Sequence, residues 1–123
     1  MISTLPTPSP RDVWWAHVDG ANKSVARISV ITRVEHDFVE LVYGQSIGCC
    51  AKDVVVTQNS ATGKRFGLTK DTFFRCTNVL LVLRGNLKSK ICACPMMLFP
   101  SFESLAVECR KRGHEPSAGA APT

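Results

Sequence analysis

Short runs of β-branched and aromatic residues alternate with polar, glycine-containing stretches along most of the chain. The pair 25–33 and 38–43 is separated by Glu35-His36-Asp37, which is typical of an antiparallel hairpin. By the same reasoning, the pattern predicts strands or strand fragments at residues 12–18, 25–33, 38–43, 53–57, 72–76, 79–83 and 89–92.

A helical period appears only near the end of the chain. Apolar residues recur there at i, i+3, i+4 and i+7: Phe102, Leu105, Ala106 and Cys109. Ser101 is a candidate N-cap, and basic residues close the last turn, where the helix dipole favours them. We therefore predict a mainly β fold: a small, strongly bent, antiparallel barrel-like sheet with one C-terminal amphipathic helix at residues 101–111.

The length of 123 residues fits one domain. Alternating Pro6, Pro8 and Pro10 exclude a helix at the start and predict an extended arm at residues 1–10. Residues 113–123 contain little that could be buried, so they are predicted to form a flexible tail. The single domain is expected to span residues 11–112.

The chain is basic, with 15 Lys and Arg against 10 Asp and Glu and a net charge of +5. A positive field of this size favours a nucleic-acid partner without establishing one. The longest uninterrupted apolar run, residues 79–83, is far shorter than the roughly 20 residues of a membrane helix, so no membrane association is predicted. The N-terminus lacks the pattern of a secretory signal, which predicts a cytoplasmic protein.

Six cysteines raise the question of disulfides or a metal site. In the cytoplasm, buried thiols behave as small hydrophobic residues. Neither Cys49-Cys50 nor Cys92-Ala93-Cys94 has the usual spacing of about two to four residues between paired zinc ligands. We therefore predict no metal and no other cofactor.

Several motifs follow one another in a specific order. They are Asp12-Val13-Trp14-Trp15, Arg27 before Ile28-Ser29-Val30-Ile31, Tyr43-Gly44-Gln45-Ser46, and Gly67-Leu68-Thr69-Lys70-Asp71-Thr72-Phe73-Phe74. With the closing helix, this order resembles the PemK/MazF-like toxins of toxin–antitoxin systems over roughly residues 11 to 110. The resemblance implies a homodimer, a metal-independent endoribonuclease acting on single-stranded RNA, and a cognate antitoxin protein as partner.

The resemblance also implies a catalytic site. In the family, an arginine opens the second strand, and a threonine followed by a serine ends the third. Arg27 matches the arginine and Ser46 the serine, whereas Gln45 stands at the threonine position. Ile28 replaces the proline that commonly follows the arginine. Arg27 can donate to two phosphate oxygens at once, but Gln45 cannot act as an acid or a base near neutral pH.

Four further residues are candidates for nucleic-acid binding: Lys23, Lys64, Arg65 and Trp14. The basic residues would contact phosphates, although solvated surface positions are the simpler explanation for them. Trp14 and Trp15 point to opposite faces of one strand, so one belongs to the core and the other can stack on a base or cover a dimer contact. Trp14 is the candidate for stacking.

Two functions remain open on the sequence alone. One is the toxin-like endoribonuclease with catalytic residues Arg27, Gln45 and Ser46, active or attenuated. The other is a non-catalytic binding or regulatory protein, such as a counter-defence protein, on the same scaffold. The replacement of the threonine by Gln45 favours the second.

Overall fold

The computed structural model describes residues 7–18, 26–46 and 53–111. Lys23, the Cys49-Cys50 pair and the tail at residues 113–123 lie outside these ranges, as does most of the N-terminal arm. The domain boundaries therefore remain predictions.

The described residues form an antiparallel sheet and two α-helices. The order of elements along the chain is β1 (Asp12–His17), β2 (Ala26–Val34), β3 (Phe38–Gln45), β4 (Val54–Val56), α1 (Ala61–Phe66), β5 (Thr72–Leu83), a 3₁₀ turn (Arg84–Asn86), β6 (Leu87–Ala93) and α2 (Phe99–Lys111). The six strands lie in the order β4-β5-β3-β2-β1-β6 and curl into a half-barrel. The predicted fold class is thus confirmed.

The predicted hairpin is also confirmed, since β2 and β3 pair from Ser29–Tyr43 to Val34–Val39. In contrast, β5 is one continuous strand where the sequence predicts two fragments. Its polar middle lies at a register shift, between the pairs Val42–Val79 and Gly44–Phe74. There the side-chain amide of Asn78 donates to the Tyr43 carbonyl at 3.2 Å, so a buried polar residue is accommodated within the strand.

Helix α2 covers one face of the sheet. The four residues at its predicted apolar positions are buried: Phe102, Leu105, Ala106 and Cys109. Phe102 meets Phe74 of β5 edge to face, with ring centroids 4.9 Å apart. The helix begins at Phe99, two residues earlier than predicted, because the Phe99 N–H already donates to the Pro95 carbonyl. Ser101 therefore lies in the first turn and is not the N-cap.

A second apolar cluster includes Trp14, Ile31, Leu41 and Val82. The two clusters of buried apolar residues, one around Phe74 and Phe102 and one around Trp14, give the small domain a core that involves all six strands and both helices. None of the helices in the described ranges is long and apolar enough to cross a membrane.

A buried carboxylate joins the end of α2 to the sheet. Glu40 of β3 is 1% exposed, and one of its oxygens accepts a hydrogen bond from Arg110 at 2.6 Å. Its other oxygen accepts from the Thr32 hydroxyl at 2.8 Å, and Arg33 lies 3.7 Å away. These partners compensate the burial of the charge and hold α2 at a defined position on the sheet.

The cysteines in the described ranges behave largely as apolar residues. Cys94 and Cys109 are buried in the core. Burial raises the pKa of Cys94 to about 11, so its thiol stays protonated at neutral pH. Across residues 7–18, 26–46 and 53–111, no three His, Cys, Asp or Glu side chains are grouped so that they could hold a metal ion.

Candidate functional site

A groove of about 440 Å³ opens where β2 begins and β3 ends. Arg27 enters it from β2, Gln45 and Ser46 from the end of β3, and Trp15 from β1. The loop Gly67–Lys70, which follows α1, supplies another wall. Arg27 and the adjacent pair Gln45 and Ser46, the three predicted catalytic residues, therefore line one groove.

Arg27 is half-buried, and its guanidinium carbon lies 5.9 Å from the centroid of the Tyr43 ring. A cation over an aromatic face is attracted by the ring quadrupole. The backbone is also fixed here by the antiparallel β1–β2 pairing, in which Arg27 lies opposite Ala16 of β1. The β1–β2 pairing and the Tyr43 ring thus both hold the positive charge of Arg27 at the groove.

Close approach of β3 and β5 shapes the floor of the groove. A Cβ atom on Gly44 would lie 2.3 Å from the Thr72 methyl group and 3.0 Å from the Phe74 ring. Only glycine allows this approach directly before Gln45. The Thr72 hydroxyl also donates to the Lys70 carbonyl at 3.1 Å. The end of β3 and the loop Gly67–Lys70 are therefore held against each other.

Helix α1 was not predicted by the sequence pattern, which indicates only a polar stretch at these residues. Ser60 caps its N-terminus by accepting from the Gly63 N–H at 2.9 Å. Gly67 ends it in the left-handed conformation, with φ of 73°. Ser60 and Gly67 are typical start and stop residues, so the capping pair was the available signal. With Phe66 buried, this short helix anchors the loop that forms the groove wall.

We predict that Gly63→Ala disrupts this anchor. A Cβ atom there would lie 1.9 Å from the Thr57 carbonyl oxygen, so α1 must move away from the preceding turn. The expected loss in unfolding free energy is about 2 kcal/mol, the scale of overpacking, measured by urea denaturation. Gly85→Ala is the matched control, since a Cβ atom there meets nothing within 4 Å. Equal denaturation midpoints for both variants would contradict the prediction.

The predicted nucleic-acid-binding residues are distributed differently. Lys64 and Arg65 are exposed on α1 and do not line the groove. Arg65 instead interacts with the Cys92 thiol; burial raises the pKa of Cys92, and Arg65 opposes that rise. Lys70 lines the groove and was missed as a site residue, because its location depends on how α1 packs.

The two tryptophans exchange the roles assigned from the sequence. Trp14 is 9% exposed, belongs to the second apolar cluster and donates its indole N–H to Asp12 at 3.2 Å. Trp15 is 38% exposed and lines the groove. Strand alternation forces one of the two inward, but the choice depends on which face is covered. The stacking candidate is therefore Trp15 and not Trp14.

Only two of the described residues that line the groove carry a charge, Arg27 and Lys70, and both are cations. No carboxylate and no histidine belongs to this part of the lining. Two other cavities differ, since one includes Asp37 and the other Asp53 and Glu108. This groove is therefore suited electrostatically to an anion such as a phosphate.

No protein-family model matches the sequence, and no curated protein matches it. Among the solved structures, the chain is similar to the Mycobacterium tuberculosis toxin MazF-mt6, with a TM-score of 0.61 and 15% sequence identity. The match covers 82% of this chain and 97% of the toxin. At this identity the similarity concerns the fold, and the chain accordingly has a MazF-like fold.

Proposed function

We propose that the protein is a toxin-like endoribonuclease that cleaves single-stranded RNA without a metal ion. The observation that carries the proposal is the groove on a MazF-like fold in which Arg27 and Lys70 are the charged members of the described lining. The net charge of +5 adds long-range attraction for a polyanion.

The proposed reaction is an internal displacement. The ribose 2′-oxygen attacks the adjacent phosphorus, the bond to the 5′-oxygen breaks, and a 2′,3′-cyclic phosphate and a 5′-hydroxyl result. Arg27 would donate to the non-bridging oxygens, where negative charge increases in the transition state. Gln45 and Ser46 would orient the phosphate by hydrogen bonds.

Proton transfer is the step of the proposed reaction that the described groove residues assist least. The described lining contains no histidine or carboxylate, and Gln45 occupies the position of the family threonine. Water would therefore accept the 2′-hydroxyl proton and supply the proton to the leaving 5′-oxygen. Since positioned acid–base groups typically contribute about 10²–10⁴ in rate, the proposed enzyme is an attenuated one.

Trp15 supports single-stranded RNA as the substrate. Its exposed ring borders the groove, and an unpaired base can stack on such a ring without sequence preference. A base inside a duplex is already stacked on its neighbours and is not available in this way.

The proposal extends to partners. A cognate antitoxin protein would inhibit the enzyme by placing a peptide in the same groove, and the active form would be a homodimer in the cytoplasm. Sedimentation at micromolar concentration tests the dimer directly.

A non-catalytic RNA- or protein-binding role on the same scaffold is the second candidate. Gln45 favours it, because an amide cannot replace an acid or a base near neutral pH.

A labelled-RNA assay in excess chelator distinguishes the two functions. We expect cleavage of single-stranded RNA with a 2′,3′-cyclic phosphate end, because the neighbouring 2′-oxygen is the nucleophile and needs charge stabilisation rather than a metal-bound water. RNA binding without cleavage would favour the binding protein. If the protein neither bound nor cleaved any of a varied set of RNAs, both RNA-directed roles would be contradicted.

A further inference from the structure

Lys70 is an exposed cation at the groove, and two hydrogen bonds fix the backbone at and directly after this residue. The Thr72 hydroxyl donates to the Lys70 carbonyl at 3.1 Å. The adjacent Asp71 carboxylate accepts from the Gln58 N–H at 2.8 Å. The backbone at Lys70 is therefore held on its C-terminal side, and Lys70 lines the groove.

Lys70 also differs from those described basic residues whose charges are paired with carboxylates. Several described cations have carboxylate partners within 4 Å: Arg33, Arg75, Lys90 and Arg110. No ion pair joins Lys70 to a carboxylate of the described residues. Its charge is therefore not neutralised by a described neighbour and can act on a ligand.

Arg27 and Lys70 lie at different depths. Arg27 is half-buried beside the Tyr43 ring, whereas Lys70 is exposed. Arginine binds a phosphate through a planar fork, while lysine acts as a hydrated point charge on a flexible stem. The two residues are therefore suited to different tasks, the first to a reacting phosphate and the second to a phosphate at the rim.

We infer that Lys70 is a substrate-binding residue that contacts the RNA phosphate next to the one held by Arg27. The inference rests on the proposed RNA-directed function and adds that the site requires two consecutive phosphates for full affinity. Lys70 contributes to binding and not to the chemical step.

The test measures the Kd of labelled single-stranded oligonucleotides for the native protein and for Lys70→Ala. Each phosphate contact contributes about 0.7 to the slope of log K against log salt for single strands, so the slope should fall by about 0.7. The loss in affinity should then be roughly threefold greater at about 50 mM than at about 200 mM salt. In cleavage assays, the loss should appear as a higher KM and not as a lower kcat.

Oligonucleotides of different length test which RNA phosphate Lys70 contacts. A dinucleoside monophosphate has one phosphate, and its binding should be the same for native protein and Lys70→Ala. A trinucleoside diphosphate should bind the variant more weakly. Lys70→Arg should preserve binding to both, because it keeps the charge.

Lys64→Ala is the matched control, since Lys64 is exposed on the same segment but does not line the groove. It removes the same charge and should leave the Kd and the salt slope unchanged. An unchanged slope in Lys70→Ala, or an equal loss with the dinucleoside, would overturn the inference. RNA cleavage by the native protein would still support the proposed function in that case. Absence of RNA binding by the native protein would overturn both.

Discussion

Arg27→Ala is expected to lower the rate of RNA cleavage by about 10²–10³, the scale for removing one positioned transition-state donor. Arg27 lines the groove, and its guanidinium is held beside the Tyr43 ring. The loss should appear in kcat, because the negative charge on the phosphate oxygens increases as the 2′-oxygen attacks. Single-turnover cleavage of a labelled RNA in excess chelator measures this rate.

Two further variants test whether the loss of rate is specific to the arginine at position 27. Arg65→Ala removes an exposed arginine outside the groove and should leave kcat unchanged. Gln45→Thr restores the residue that the family has at this position and should leave activity unchanged or raise it. Undiminished cleavage by Arg27→Ala would remove Arg27 from the site and with it the proposed chemistry.

Arg110→Ala is expected to destabilise the protein by about 3 kcal/mol, the lower end of the range for breaking a buried ion pair. Glu40 is 1% exposed and would lose its 2.6 Å partner. The lower end applies because the Arg110 side chain is 40% exposed and Arg33 still lies 3.7 Å from the carboxylate. The melting temperature should fall by roughly 10–15 °C, as measured by thermal denaturation.

The double variant Glu40→Met and Arg110→Met is the control for this prediction. It removes both charges and fills similar volume, so it should regain most of the lost stability. Lys111→Ala removes a neighbouring exposed charge and should change the unfolding free energy by less than about 0.5 kcal/mol. A melting temperature of Arg110→Ala equal to that of the native protein would contradict the role assigned to the pair.

The main part of the fold could be predicted from local patterns. The residues of the β2–β3 hairpin have the β-branched composition of strands and a short polar turn between them. The apolar spacing of α2 is visible directly in the sequence. The start of α2 was misplaced because a serine is a common N-cap, whereas the Pro95 carbonyl takes the Phe99 N–H and lets the helix begin earlier.

The secondary structure of the polar segments was harder to predict from the sequence. Thr77-Asn78 looks like a break in a strand, yet β5 continues because the Asn78 side chain bonds to the Tyr43 carbonyl across the ladder. Helix α1 has six residues and little apolar periodicity, so only its capping residues indicated it. Lys70 belongs to the groove only because that helix positions its loop.

Local sequence pattern was sufficient to predict most of the strands, the C-terminal helix and the placement of Arg27, Gln45 and Ser46 near strand ends. These follow from side-chain period and from the order of residues along the chain, which are local properties. Only the folded arrangement shows that Trp15 and not Trp14 lines the groove, that Lys70 lies there with Arg27, and that Glu40 pairs with Arg110, 70 residues away. Each of these depends on strand register and on packing between distant segments, and local sequence pattern does not encode such contacts.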